Sequence, residues 1–97
     1  MIRINKGTKK YQRALWTWTN CNKGKDLYQA YRGRVSQEKY DTFNDIWFTA
    51  SKTEGYNHDL KVVAASSWFY STMYSFTRDG KTFVVYNTHA TVYYFEI

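Results

Sequence analysis

Residues 68–87 read WFYSTMYSFTRDGKTFVVYN, and this stretch decides the fold. Two runs rich in aromatic and β-branched residues lie on either side of Arg78-Asp79-Gly80-Lys81, a pattern typical of two strands joined by a tight turn. Asp-Gly is suited to the positive φ angles that a type I′ turn requires. The sequence therefore predicts a β-hairpin with strands at residues 68–77 and 82–87.

The segments on both sides of this hairpin have the same β character. Residues 60–65 contain two valines, and residues 91–97 are rich in β-branched and aromatic residues, so residues 60–97 are predicted to form an antiparallel meander. Side chains alternate between the two faces of a strand, and residues 68–77 place bulky groups on both faces. A single helix covers one face, so we expect the sheet either to close as a partial barrel or to leave an aromatic face for a partner or a second subunit.

One helix is predicted, at about residues 37–53. Ser36 offers an oxygen for the N-cap, and acidic residues follow in the early turns, where they suit the helix dipole. Gly55 is expected to lie near the end of the helix. Apolar residues recur at helical spacing along one side, at Tyr40, Phe43, Trp47 and Ala50.

The N-terminal third is predicted to be a β-hairpin. Residues 13–19 alternate so that Ala14, Trp16 and Trp18 share one face, which indicates a strand. Residues 20–25 read as a loop that leads into a second strand at residues 27–32. The predicted order is β-β-α-β-β-β-β, an α+β fold with a curled antiparallel sheet of about six short strands, and residues 1–97 form one domain.

The net charge of +6 is concentrated at the N-terminus. The first 25 residues contain seven Lys and Arg and no acid, whereas residues 26–97 contain seven bases and eight acids. We expect residues 1–11 to form a basic, flexible arm. Such an arm binds phosphates or an acidic partner, or it serves only as a solubilising tail.

Basic residues in this region alternate with aromatic ones, a pattern typical of single-stranded nucleic-acid binding when the rings are exposed. Two further tyrosines in the hairpin are candidates for an exposed apolar patch. The predicted contact residues for nucleic acid or a partner are Lys9, Lys10, Tyr11, Arg13, Lys23, Lys25, Arg32 and Arg34, with Tyr70 and Tyr74 for the patch.

Catalytic and metal-binding patterns are weak, so we expect neither an enzyme, a metal nor a cofactor. His89-Ala90-Thr91 has the His-x-Thr form of a phosphoesterase motif, but that chemistry needs a second copy. Cys21 lies in a lysine-rich loop without a motif around it, and a single cysteine excludes an internal disulfide. Glu54, His58 and Asp59 are interpreted as a solvated loop rather than a nuclease site.

The chain is expected to be cytoplasmic. No apolar run approaches the roughly 18 residues that span a membrane, and the first residues lack the apolar stretch of a signal peptide.

In composition, with many Tyr, Lys, Asn and Thr and few Leu, the chain resembles the short early proteins of lytic bacteriophages. This resemblance concerns composition alone and implies no active-site residue. It does imply stoichiometric interference with a host or defence complex such as a nuclease, a toxin or the transcription machinery. Two alternatives stay open. One is a protein that binds RNA or single-stranded DNA directly, and the other is a structural homo-oligomer in which an edge strand, such as 91–97 or 13–19, pairs across a two-fold axis.

Overall fold

The computed structural model describes residues 1–20, 37–65, 70–88 and 90–97. The described elements are β1 (Ile2–Arg3), α1 (Lys9–Asn20), α2 (Gln37–Ser51), β2 (Lys61–Ala65), β3 (Tyr70–Arg78), β4 (Lys81–Asn87) and β5 (Val92–Glu96). The fold is α+β, as predicted, with a curled, unclosed sheet of five strands in the order β1-β5-β4-β3-β2. The predicted second strand at 27–32 and the Ser36 cap lie outside the described residues.

The predicted hairpin and meander are confirmed. Asp79 and Gly80 have φ angles of 54° and 76°, and Arg78 pairs with Lys81 across the turn, as in a type I′ hairpin. Strands β2 to β5 pair antiparallel in sequence order. The four predicted strands agree with β2 to β5 to within two residues, because their alternation and turn residues are local signals.

The predicted first strand at 13–19 is wrong, because this segment belongs to helix α1. Thr8 caps the helix: its Oγ1 accepts the Tyr11 amide at 3.1 Å. The hydroxyls of Thr17 and Thr19 donate to carbonyls four residues earlier, at 2.8 and 2.9 Å, so these β-branched residues are accommodated in a helix. The side chains that pack against the sheet follow helical spacing, at Tyr11, Ala14, Leu15 and Trp18.

The predicted helix at 37–53 is confirmed as α2, and Ala50 in its last turn is fully buried. Trp47 differs from its predicted place on the buried side, since 45% of its surface is exposed. The chain turns after α2 at Gly55, whose φ is 78°. The Gly55 carbonyl accepts the Thr77 amide at 2.9 Å, and a Cβ at this position would collide with the Thr77 carbonyl. Only glycine allows this close approach.

The N-terminal segment pairs with β5 and covers that edge of the sheet. Strand β1 pairs parallel with β5, so the sheet is mixed rather than wholly antiparallel. Beyond it, the Ile4 amide donates to the Tyr94 carbonyl at 2.9 Å, and the Tyr11 hydroxyl donates to the Glu96 carbonyl at 2.6 Å. Neither of the two segments predicted as free edge strands is one, because β5 lies inside the sheet between β1 and β4, and residues 13–19 are helical.

An ion pair also holds the N-terminal segment against β5. Lys6 Nζ lies 3.0 Å from Glu96 Oε2. The hydrogen bond and positive charge of Lys6 lower the pKa of Glu96, and the same pair raises the pKa of Lys6. A carboxylate with a lowered pKa stabilises the fold above its unfolded pKa, and this contribution is lost as the pH falls through the folded value.

We expect the N-terminal segment to loosen in acid, as the pH falls from the ordinary pKa of a glutamate, about 4.3, through the lowered pKa of Glu96 and this residue takes up a proton. Both side chains are partly solvated, so the effect is small, about a few-fold in the opening equilibrium. The measurement is the hydrogen-exchange protection factor of the Ile4 amide against pH. In Glu96→Gln this protection should already be low and nearly flat over that range. An equal pH response in wild type and variant would contradict the assignment.

The two faces of the sheet carry separate cores. Adjacent residues of a strand point to opposite faces, so Met73 and Tyr74 belong to different cores. The face under α1 holds Ile4, Ala14, Met73, Val84 and Phe95. The face that receives the end of α2 holds Ala50, Tyr74, Phe76 and Val85. The expectation of a single helix is wrong, because α1 packs against one face of the sheet and the end of α2 against the other. The sheet is not closed into a barrel.

No helix in the described ranges is long and apolar enough to cross a membrane.

Candidate binding surface on the first helix

The side of α1 that faces away from the sheet carries cations and one large aromatic ring. Its residues occur at helical spacings of three, four, seven and eight and therefore lie along one side of the helix. They line a shallow groove that follows about 12 Å of the helix. We call this set the α1 stripe: Lys9, Gln12, Arg13, Trp16 and Thr17.

Trp16 is the most unusual member of the stripe. Its side of the helix points away from Ala14, which is buried, and 68% of its surface is exposed. A tryptophan loses much favourable burial energy when it stays in water. A large exposed ring beside positive charges is a typical feature of a binding surface.

The charges of the stripe lie where the helix disfavours them. The N-terminal end of a helix carries a partial positive charge, which favours acidic side chains there. The first turn of α1 has no acidic residue and begins with Lys9 and Lys10. Arg13 lies four residues after Lys9, so these two cations also repel each other along the helix. Folding alone does not favour this arrangement, whereas attraction for an anionic ligand does.

The C-terminal end of α1 shows the complementary arrangement. Its last turn has no basic residue, yet its carbonyl groups favour a cation. Lys61 in β2 supplies one: its Nζ donates to the Trp18 carbonyl at 2.6 Å and lies 3.6 Å from the centre of the Trp18 ring. Lys61 is only 4% exposed. The role of Lys61 was not predictable from the sequence, because no local pattern links a strand lysine to a helix 43 residues away.

Four of the predicted contact residues lie on the first turns of α1, and only two of them belong to the α1 stripe. Lys9 and Arg13 belong to the α1 stripe. Lys10 turns toward the sheet, where its Nζ lies 3.8 Å from the centre of the Tyr93 ring. Tyr11 lies on the inner side: its ring meets Phe95 edge to face at 5.7 Å. Tyr11 therefore fixes the helix to the sheet.

The remaining predicted contact residues are not part of this surface as described. Tyr74 is only 8% exposed and packs in the core, so it forms no exposed patch. Tyr70 begins β3, but its side chain lies outside what the structure describes. Four further positions also lie outside the described residues: Lys23, Lys25, Arg32 and Arg34.

The loop after α2 contains Glu54, His58 and Asp59, which were interpreted as a solvated loop rather than a nuclease site. Asp59 accepts hydrogen bonds from Ser75 in β3, beyond the part of β3 that pairs with β2. Its Oδ1 accepts the Ser75 amide at 2.9 Å, and its Oδ2 accepts the Ser75 hydroxyl. His58 is exposed beside the Tyr56 ring, with ring centres 4.9 Å apart. Asp59 thus has a structural role. Cys21 and His89 lie outside the described residues.

Within the described ranges, no group of three or more His, Cys, Asp or Glu side chains is placed to hold a metal ion.

Helix α2 also carries exposed apolar side chains, Trp47 and Phe48, which are 45% and 55% exposed. Lys52 lies over the Phe48 ring, at 4.2 Å from its centre. This pair has acidic neighbours such as Asp45 on the same helix, so its surroundings differ in charge from those of Trp16. Trp47 and Lys52 are therefore matched controls for substitutions in the α1 stripe.

Comparison with known proteins finds no matching family model, no matching curated protein and no matching solved structure.

Proposed function

We propose that this chain is a non-enzymatic, phage-type interference protein that binds a host nucleic-acid-handling complex, such as a nuclease, a toxin or the transcription machinery. The contact surface is the α1 stripe. The observation that carries the proposal is the combination of exposed Trp16 with cations at the positive end of the helix dipole. A complex that contains nucleic acid presents the dense negative charge that this surface attracts.

The overall charge supports the same conclusion. The chain carries +6, and a positive protein is drawn to polyanions at long range, with rates that fall as salt rises. An inhibitor that mimics DNA needs the opposite sign of charge. The expected contact through an aromatic sheet face is replaced in this proposal by the helix, because the sheet aromatics Tyr74 and Phe76 lie in the core.

The test is capture from a bacterial lysate with immobilised protein, followed by an activity assay of the captured complex. We expect the wild type to retain the subunits of one nucleic-acid-handling complex and to inhibit that complex when added at equal concentration. Lys9→Glu/Arg13→Glu should lose both effects. A control, Lys52→Glu/Lys81→Glu, changes the net charge equally, at exposed positions outside the stripe, and should behave as wild type.

If Lys9→Glu/Arg13→Glu still retains the complex, the contact does not lie on the α1 stripe. Capture without any inhibition would remove the interference function and leave a binding protein.

A further inference from the structure

If the proposed function holds, the side chains of the α1 stripe indicate which component of the complex this surface binds. A protein partner is normally met by a core of several apolar side chains within a polar rim. The stripe has one apolar side chain, Trp16, and its other members are Lys9, Gln12, Arg13 and Thr17. An isolated aromatic ring among cations is instead the arrangement that binds an unpaired base and its phosphates.

We infer that single-stranded nucleic acid is the component that α1 contacts, with one base stacked on Trp16 and the phosphates beside it held by Arg13 and Lys9. Arg13 lies one helical turn before Trp16, and Lys9 one turn before Arg13, so the three groups follow one another along the groove. The strand would therefore run approximately parallel to the helix axis.

The exposure of the Trp16 ring favours a single strand over a duplex as the ligand. In a duplex, both faces of each base are covered by stacking, and only the base edges are accessible in the grooves. An unpaired base offers its face to an aromatic ring. With 68% of its surface exposed, Trp16 has a ring free to stack, while Trp18 on the inner side is engaged with Lys61.

The helix is held rigidly enough to act as a platform. At its start, Tyr11 is bonded to the Glu96 carbonyl at 2.6 Å, and at its end Lys61 is bonded to the Trp18 carbonyl at 2.6 Å. Both bonds tie α1 to strands of the sheet. A surface that is already ordered loses little conformational entropy when the ligand binds.

The test is fluorescence anisotropy with a labelled single strand of mixed sequence, about 12 nucleotides long to cover one such site, and with the matching duplex, at low salt. We expect the single strand to bind more tightly. Trp16→Ala should weaken binding by about fivefold to a hundredfold, which is the usual effect of losing one stacked base. Trp16→Phe should recover much of this loss, and the control Trp47→Ala should bind as wild type.

Salt dependence separates the roles of the ring and the cations. Two phosphate contacts predict a slope of about −1.4 for the logarithm of affinity against the logarithm of salt concentration. Arg13→Gln should reduce the slope to about −0.7, since one contact is lost, while Trp16→Ala should leave it unchanged. Circular dichroism confirms that each variant is folded before binding is compared.

Equal binding of strand and duplex, or unchanged affinity in Trp16→Ala, would overturn the inference. Its failure is distinguishable from failure of the proposed function. Capture and inhibition that survive nuclease treatment, with no binding to the oligonucleotide, would mean that α1 contacts a protein of the complex. Oligonucleotide binding without capture or inhibition would instead retain the inference and remove the interference function.

Discussion

Replacing both Lys9 and Arg13 by glutamate should abolish oligonucleotide binding and leave the protein at least as stable as the wild type. Lys9→Glu places a carboxylate at the N-terminal end of α1, where an anion is favoured, and the gain there is about 0.5–1 kcal/mol. The double substitution also replaces two cations that face phosphates by two anions. We therefore expect at least about a hundredfold loss of affinity at low salt, since attraction becomes repulsion.

Two measurements on the same sample check this result. Urea unfolding followed by circular dichroism gives the free energy of unfolding, and anisotropy gives the affinity. The opposite movement of the two quantities is the informative outcome, because a variant that lost binding through misfolding would lose stability too. Lys52→Glu/Lys81→Glu should keep its affinity within a few-fold. A clear loss of stability in Lys9→Glu/Arg13→Glu would show that these cations serve the fold.

The α1 stripe lowers the stability of the protein when no ligand is bound. Binding sites often retain residues that cost stability, because the ligand uses the interactions that the fold does not satisfy. At the start of α1, this cost consists of the helix dipole acting on Lys9 and Lys10 and of the repulsion between Lys9 and Arg13.

Lys61→Met should have the largest effect on stability, a loss of about 2–3 kcal/mol in the free energy of unfolding. Methionine keeps most of the apolar stem but has no donor for the Trp18 carbonyl and no charge for the Trp18 ring. The last turn of α1 would then be without its cation. Since domains of this size are stable by only about 5–15 kcal/mol, this is a large fraction of the total.

Urea unfolding of Lys61→Met beside Lys52→Met, an exposed control, provides the measurement. The control should lie within about 0.5 kcal/mol of wild type. If Lys61→Met is instead as stable as wild type or more so, the cost of burying the ammonium exceeds what its contacts with Trp18 return, as happens for some buried charges. Lys61 lies outside the α1 stripe, so the folded variant should still bind the single strand.

Elements with strong local signals were predictable from the sequence. The Asp79-Gly80 turn and the helix ending near Gly55 depend on backbone conformations that few residues adopt, so a short stretch of sequence is enough to identify them. The parallel pairing of β1 with β5 had no such signal. It joins residues at opposite ends of the chain, and two residues are too few to form a recognisable pattern.

Helix α1 was missed because its sequence supports two periods. Ala14, Trp16 and Trp18 alternate as in a strand, yet Tyr11, Ala14, Leu15 and Trp18 also have helical spacing. The Thr8 cap and four residues of good helical spacing were the signals that identify the helix.

The error in period also hid the candidate site. A strand places Trp16 and Trp18 on one face, where both would be core residues, whereas a helix separates them by about 200°. The cations at Lys9 and Arg13 were predicted from the basic charge of the N-terminal region and its alternation with aromatic residues. The exposure of Trp16 and the burial of Lys61 were not, since both depend on which side of α1 meets the sheet.

At high concentration, the N-terminal segment protects β5 against intermolecular strand pairing. Strand β5 is rich in aromatic residues and has the β propensity of segments that stack into fibrils when an edge is left open. Ile4 and Tyr11 occupy the carbonyl groups of Tyr94 and Glu96 at that edge. The N-terminal segment that brings the charges of α1 to the surface thus also shields an aggregation-prone strand, so a chain that lost this segment would lose solubility together with binding.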